Sequence, residues 1–190
     1  LRLANEGILE GYNEKGKKLF KPQQPLNRAE ASKLILKSVC TEPRSSAKVA
    51  PQLYSDVLPS GPTGWFFPLT KESYFRGYFT GYKDKIDSLG RREFRGKNVI
   101  SQAEMVKVLV EVLRSEGLLK IASIKQTNPW YAPYILIGQN LKPYWNGEDA
   151  LMHPSLISKE EKNPTKPLTR LDAAIMIDKT LDLYGRCNAE

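Results

Sequence analysis

Cysteine and histidine are almost missing from this chain of 190 residues. Two cysteines, Cys40 and Cys187, are too few for a disulfide scaffold, and their spacing fits neither a CxxC pair nor a zinc site. The one histidine, His153, lies in Met152-His153-Pro154-Ser155 and reads as an ordinary loop residue. Without a second histidine, an HExxH pair or a GxSxG elbow, hydrolytic catalysis lacks its usual parts. No enzyme activity, cofactor or metal is expected. Gly61-Pro62-Thr63-Gly64 is a turn and not a phosphate loop, because the Lys-Ser/Thr ending is absent. No run approaches the ~18 consecutive apolar residues of a membrane span. The chain opens inside an apolar pattern (Leu1, Leu3, Ile8, Leu9), so a segment of something longer is expected.

Acidic residues are also short relative to basic ones. Lys and Arg number 29 against 21 Asp and Glu, a net charge of +8 that favours an anionic partner. The excess is uneven: residues 1–126 carry +9 and residues 127–190 carry −1. An apolar content of 41% supports one medium domain, 1–190, with a core of its own.

What the chain does contain is a repeat. Leu26-Asn27-Arg28-Ala29-Glu30-Ala31 recurs as Ile100-Ser101-Gln102-Ala103-Glu104-Met105 and as Leu168-Thr169-Arg170-Leu171-Asp172-Ala173. In each copy Asn, Ser or Thr stands three places before Glu or Asp. This is the capping-box signature, in which a side-chain oxygen takes a free N–H of the first helical turn. Helical stripes follow each box: Ala31, Leu34, Ile35 and Val39; Met105, Val108, Leu109, Val112 and Leu113; Ala173, Met176, Ile177 and Leu181. Helices are therefore predicted near 28–40, 102–116 and 170–184, the second being the most enclosed because Val106 and Val110 widen its apolar face.

A second motif precedes the boxes. Gly7-Ile8-Leu9-Glu10-Gly11-Tyr12 matches Gly77-Tyr78-Phe79-Thr80-Gly81-Tyr82, with a looser third copy in Asn140-Leu141-Lys142-Pro143-Tyr144. Gly7, Gly77 and Asn140 are predicted to end short helices, since Gly and Asn accept the left-handed conformation, and Gly11 and Gly81 then turn the chain. Trp65 and Trp130 fall near the starts of two of these short helices. Segments 41–53, 58–64, 84–98 and 145–166 are read as surface loops.

At these residues the sequence resembles the S-layer homology (SLH) family. The resemblance rests on Tyr54-Ser55-Asp56-Val57, Trp65, Gly7 to Tyr12, Phe20-Lys21-Pro22 and the Asn27-Arg28-Ala29-Glu30 box, and it spans units of about 1–40 (truncated at its N-terminus), 52–116 and 127–184. It implies a mainly α fold of three repeats, pseudo-threefold about a central three-helix bundle, with long surface loops. It also implies an extracellular, cell-wall location and grooves between units that hold an anionic, pyruvylated wall polysaccharide. Carried over by position, the glycan-binding residues are Arg28, Arg170, Gly11, Tyr12, Gly81, Tyr82, Trp65 and Trp130. Gln102 stands where the second box should have Arg, Lys142-Pro143 replaces the third Gly-containing turn, and the first unit lacks its opening strand and Trp.

Arginine suits a ketal carboxylate because its planar guanidinium gives two parallel hydrogen bonds. Each of these residues also has a local reading. Arg28 and Arg170 could pair with nearby carboxylates, Glu30 and Asp172 serve the capping boxes, and the tryptophans could anchor the core as well as stack on sugars. The expected role is a non-catalytic anchoring module on a cell-wall polysaccharide, with other surface-layer proteins as further partners. The alternative is a scaffold with degenerate pockets that serves protein assembly. A nucleic-acid binder is disfavoured, because no recognition-helix pattern accompanies the repeats. The ends of the first and third helices on one side of a bundle would permit, without requiring, a Cys40–Cys187 disulfide.

Overall fold

Helices begin where the boxes stand. In a computed structural model describing residues 2–44, 51–141 and 155–184, the long helices are α2 (Arg28–Ser38), α4 (Gln102–Ser115) and α6 (Arg170–Tyr184). Asn27 and Ser101 each accept from the backbone of the Glu three residues on, and Glu30 and Glu104 accept in return from the cap backbone. Asp172 is one methylene shorter than Glu, and its carboxylate takes the Thr169 hydroxyl at 2.8 Å. Three shorter helices precede the long ones: α1 (Arg2–Asn5), α3 (Phe67–Phe75) and α5 (Ala132–Asn140). Gly7 and Gly77 follow α1 and α3 with φ of 67° and 76°, the left-handed ends the sequence predicts. Asn140 departs from this reading. It is the last residue of α5, and its side chain donates to the Leu136 carbonyl.

The expectation of a mainly α fold around a central three-helix bundle is corrected. The described residues also form two antiparallel sheets, β1 (Tyr12–Glu14) with β2 (Lys17–Leu19) and β3 (Tyr82–Ile86) with β4 (Arg92–Glu93), so segment 84–98 is largely a hairpin and not a free loop. Lys15 and Gly16 join the first hairpin, both with positive φ, the turn whose twist matches that of paired strands. The helices do not pair as equals either: the closest packing is α4 on α5 and α2 on α3, while α6 makes lesser contacts with α2 and α4.

What unites the three boxes is a backbone ring at their entries. Leu26 N–H donates to Leu168 O, Leu168 N–H to Ile100 O and Ile100 N–H to Leu26 O, each at 2.9 Å, and all three side chains are fully buried. Next along, the Arg28 and Ala29 N–H groups donate to Asn98 and Gly96, those of Gln102 and Ala103 to Lys166 and Pro164, and those of Arg170 and Leu171 to Gln24 and Pro22. The first-turn donors of each long helix are thus closed by a neighbouring segment and by its own cap, which leaves them unavailable to an external anion. The core runs continuously from Leu3 to Leu181 through the wholly buried Tyr78, Phe94, Met105 and Leu109. His153 and Cys187 lie outside the described residues, as do Lys142, Pro143 and Tyr144 of the third turn. Cys40 carries no free thiol.

Candidate functional site

Arg28 is the first helical residue of α2, and its side chain crosses the chain to reach partners more than sixty residues away. The guanidinium is almost buried. Nε donates to the Phe94 carbonyl at 2.9 Å and Nη1 to Glu104 at 3.0 Å. Its plane lies over the ring of Tyr82, 4.4 Å from the centroid, with Phe79 and Phe94 at 5.4 and 5.2 Å. Nη2 has no hydrogen-bond partner among the described residues. Burial pushes the Tyr82 hydroxyl up to about 12 against the pull of Arg28. The phenol therefore stays protonated and donates to the same Glu104 oxygen at 2.5 Å.

A second cation also packs on Tyr82. Arg95 sits 4.5 Å from the same centroid and holds Asp84 and Glu93. Arg95 has a φ of 56°, an uncommon conformation for a residue with a side chain. With two guanidinium groups this close to its centroid, the ring helps to orient Arg28.

This cluster lines a groove of about 510 Å³. Of the residues the sequence singles out, Arg28, Gly81, Tyr82 and Trp130 meet there. Trp130 precedes α5 at the groove margin and is 46% exposed, packed edge-on against Tyr131 and Tyr134. Gly81 is needed for packing: at its φ of 71° a Cβ would stand 2.9 Å from both Arg92 Cβ and Tyr54 Cε1. Gly81→Ala is expected to cost about 1–3 kcal/mol, measured by thermal or urea unfolding. Gly77→Ala, whose Cβ would meet nothing within 4 Å, should cost less.

Arg170, Tyr12 and Gly11 belong to a second cluster of the same design. The Arg170 guanidinium lies 4.5 Å from the Tyr12 centroid, with Lys21 at 5.3 Å from the same ring, and the Tyr12 hydroxyl donates to Glu30 at 2.7 Å. Here all three nitrogens are used: Nε on Phe20 O at 3.0 Å, Nη1 on the Tyr12 hydroxyl at 3.2 Å and Nη2 on Glu10 O at 2.9 Å. None of these residues lines the groove. A Cβ on Gly11 would fall 3.0 Å from the backbone nitrogen of Leu19, so the glycine admits the β1–β2 hairpin. Trp65 is also absent from the groove; it is 52% exposed and packs edge-on against Phe66. At the second box Gln102 is buried, and its Oε1 has no partner.

Sequence reasoning missed three groove residues. Glu104 reads as a capping residue and is one, yet it also anchors Tyr82 and Arg28. Lys107 and Glu111 belong to neither repeated motif, and the packing of α5 on α4, with Tyr82 of β3 bonded to Glu104, places them in a groove wall.

Comparison with known proteins agrees with the sequence motifs. Residues 1–32 match the family model described as S-layer homology domain. The chain is similar to the surface-layer 125 kDa protein of Lysinibacillus sphaericus, with 23% identity over 183 residues. That alignment covers 95% of this chain and 13% of the relative, so the chain spans roughly an eighth of the relative's length.

Proposed function

We propose that this chain is a non-catalytic anchoring module that holds a larger protein on the cell surface by binding an anionic wall polysaccharide in the Arg28 groove. The observation that carries the reading is the spare Nη2 of Arg28, a guanidinium whose Nε and Nη1 are held by Phe94 O and Glu104 and which lies against the Tyr82 ring. A donor held in this way is pre-organised for one oxyanion and loses little rotamer entropy on binding. Trp130 at the margin offers an apolar face suited to a sugar ring. The basic excess of residues 1–126 would draw an anionic polymer towards this side. The match to the S-layer homology domain and the surface-layer relative support the cell-surface setting.

One groove, and not three, follows from the donor inventory. Each nitrogen of Arg170 already donates once within the protein, and the neutral amide of Gln102 cannot neutralise a carboxylate. The expected stoichiometry is one bound anionic group of the polymer per module. The test is co-sedimentation with purified wall sacculi before and after chemical removal of the secondary polymer. Binding lost with the polymer supports the proposal. Binding that survives removal, or is absent throughout, overturns it in favour of a scaffold for protein assembly.

A further inference from the structure

The groove contains a cation that the arginine-centred reading leaves without a role. Lys107 lies on α4 one turn beyond Glu104 and lines the groove. Its Nζ makes one long hydrogen bond, to Tyr78 O at 3.4 Å. An ammonium has three donors, so two are left over.

The carboxylates that face it are already committed. One Glu104 oxygen takes Arg28 Nη1 and the Tyr82 hydroxyl, and the other takes the Ser101 N–H. One Glu111 oxygen takes the Tyr134 hydroxyl at 2.9 Å from α5, and the other takes Arg114 Nη1 at 2.6 Å. Each acid thus has its own arginine. The remaining charged groups near Lys107 are Arg28 from α2 and Lys83 from β3, both repulsive.

Arg28 brings direction to the groove but little net charge, because Glu104 answers it. We propose that Lys107 supplies the charge that neutralises the anionic group of the ligand, while Arg28 Nη2 sets that group's orientation; this rests on the glycan reading above. Burial, with Arg28 and Lys83 adding to it against the opposite pull of Glu111 and Glu104, holds the Lys107 ammonium below the ordinary lysine range. An anion seated beside it would relieve that cost. The charged form is the binding form, so affinity should fall as pH rises towards the ordinary lysine value of about 10.4, and it should fall before a solvent-exposed lysine would titrate.

The experiment titrates solubilised secondary wall polymer against the intact chain and three variants, from about pH 7 to about pH 10. Lys107→Gln is expected to bind about tenfold more weakly at neutral pH. Lys107→Arg should keep most of the affinity and lose the alkaline decline, since a guanidinium stays protonated throughout. Lys120→Gln, an equal change in net charge at an exposed position outside the groove, should match the wild type. Melting temperatures accompany each titration, and the pH profile of Lys107→Arg decides the matter if Lys107→Gln does not fold. Affinity of Lys107→Gln within about twofold of wild type, or identical pH profiles for wild type and Lys107→Arg, would overturn the assignment and leave the glycan reading standing. Wild-type protein that fails to bind the polymer at all would remove both.

Discussion

Leu109→Ala is expected to lower the free energy of unfolding by about 2–5 kcal/mol, through lost transfer energy and the cavity left behind. Leu109 has no exposed surface and sits mid-way along α4 among Met105, Val106, Val108, Val110, Val112 and Leu113, every one of them buried. Apolar contact surrounds it because α4 packs on α5 at one face and on α6 at another, which leaves little room for collapse around a truncated side chain. Leu136→Ala, at a site on α5 that is 63% exposed, provides the contrast and should change stability by less than about 0.5 kcal/mol. Urea unfolding of the two variants beside the wild type makes the comparison. A loss below about 1 kcal/mol for Leu109→Ala would mean that this face of α4 is not in the core.

Arg28→Ala is expected to weaken polymer binding about 10- to 150-fold, equivalent to about 1.5–3 kcal/mol for a charge-assisted contact. Two effects add: the oriented Nη2 is lost, and Glu104 keeps its charge in the groove with the Tyr82 hydroxyl and the Ser101 N–H as partners but no cation. Arg28→Lys should recover part of the affinity, because charge returns without the fork. Arg170→Ala is the informative comparison. Its residue type and box position are those of Arg28, yet it should leave polymer affinity within about twofold of wild type. It should lower stability instead, by about 1–3 kcal/mol, as the partners at Phe20, Tyr12 and Glu10 lose their donor. Gln102→Ala should also bind as wild type. Equal affinities for Arg28→Ala, Arg170→Ala and the wild type would remove the arginines from the site.

Elements whose cause is local were legible in the chain. Asn27 with Glu30 and Ser101 with Glu104 are three residues apart, so the reciprocal hydrogen bonds that start α2 and α4 need nothing from elsewhere. Gly7 and Gly77 take up left-handed geometry for the same short-range reason. The β3–β4 hairpin was not legible: four of the five β3 residues are exposed, so no inward alternation marks it as a strand. The helix-bundle expectation failed because periodicity reports which face of a helix is apolar and not which partner covers it, and here α3 and α5 cover much of α2 and α4.

By itself, then, the sequence determined where the long helices begin, which of their faces are buried, and that arginine, glycine, tyrosine and tryptophan recur around the boxes. Only the tertiary structure decided which of two equivalent arginines keeps a nitrogen without a partner among the described residues. Arg28 and Arg170 open boxes of the same design, and each lies over a tyrosine. The Glu10 carbonyl, 160 residues from Arg170 along the chain, closes one guanidinium, whereas no described residue closes the other. Tertiary structure alone also made Lys107 part of a groove, by setting α5 and β3 beside it and giving both nearby carboxylates to other donors. A hydrogen-bond donor's availability depends on every acceptor that the folded chain brings within about 3 Å of it, and contacts between residues so far apart along the chain leave no pattern in the order of its residues.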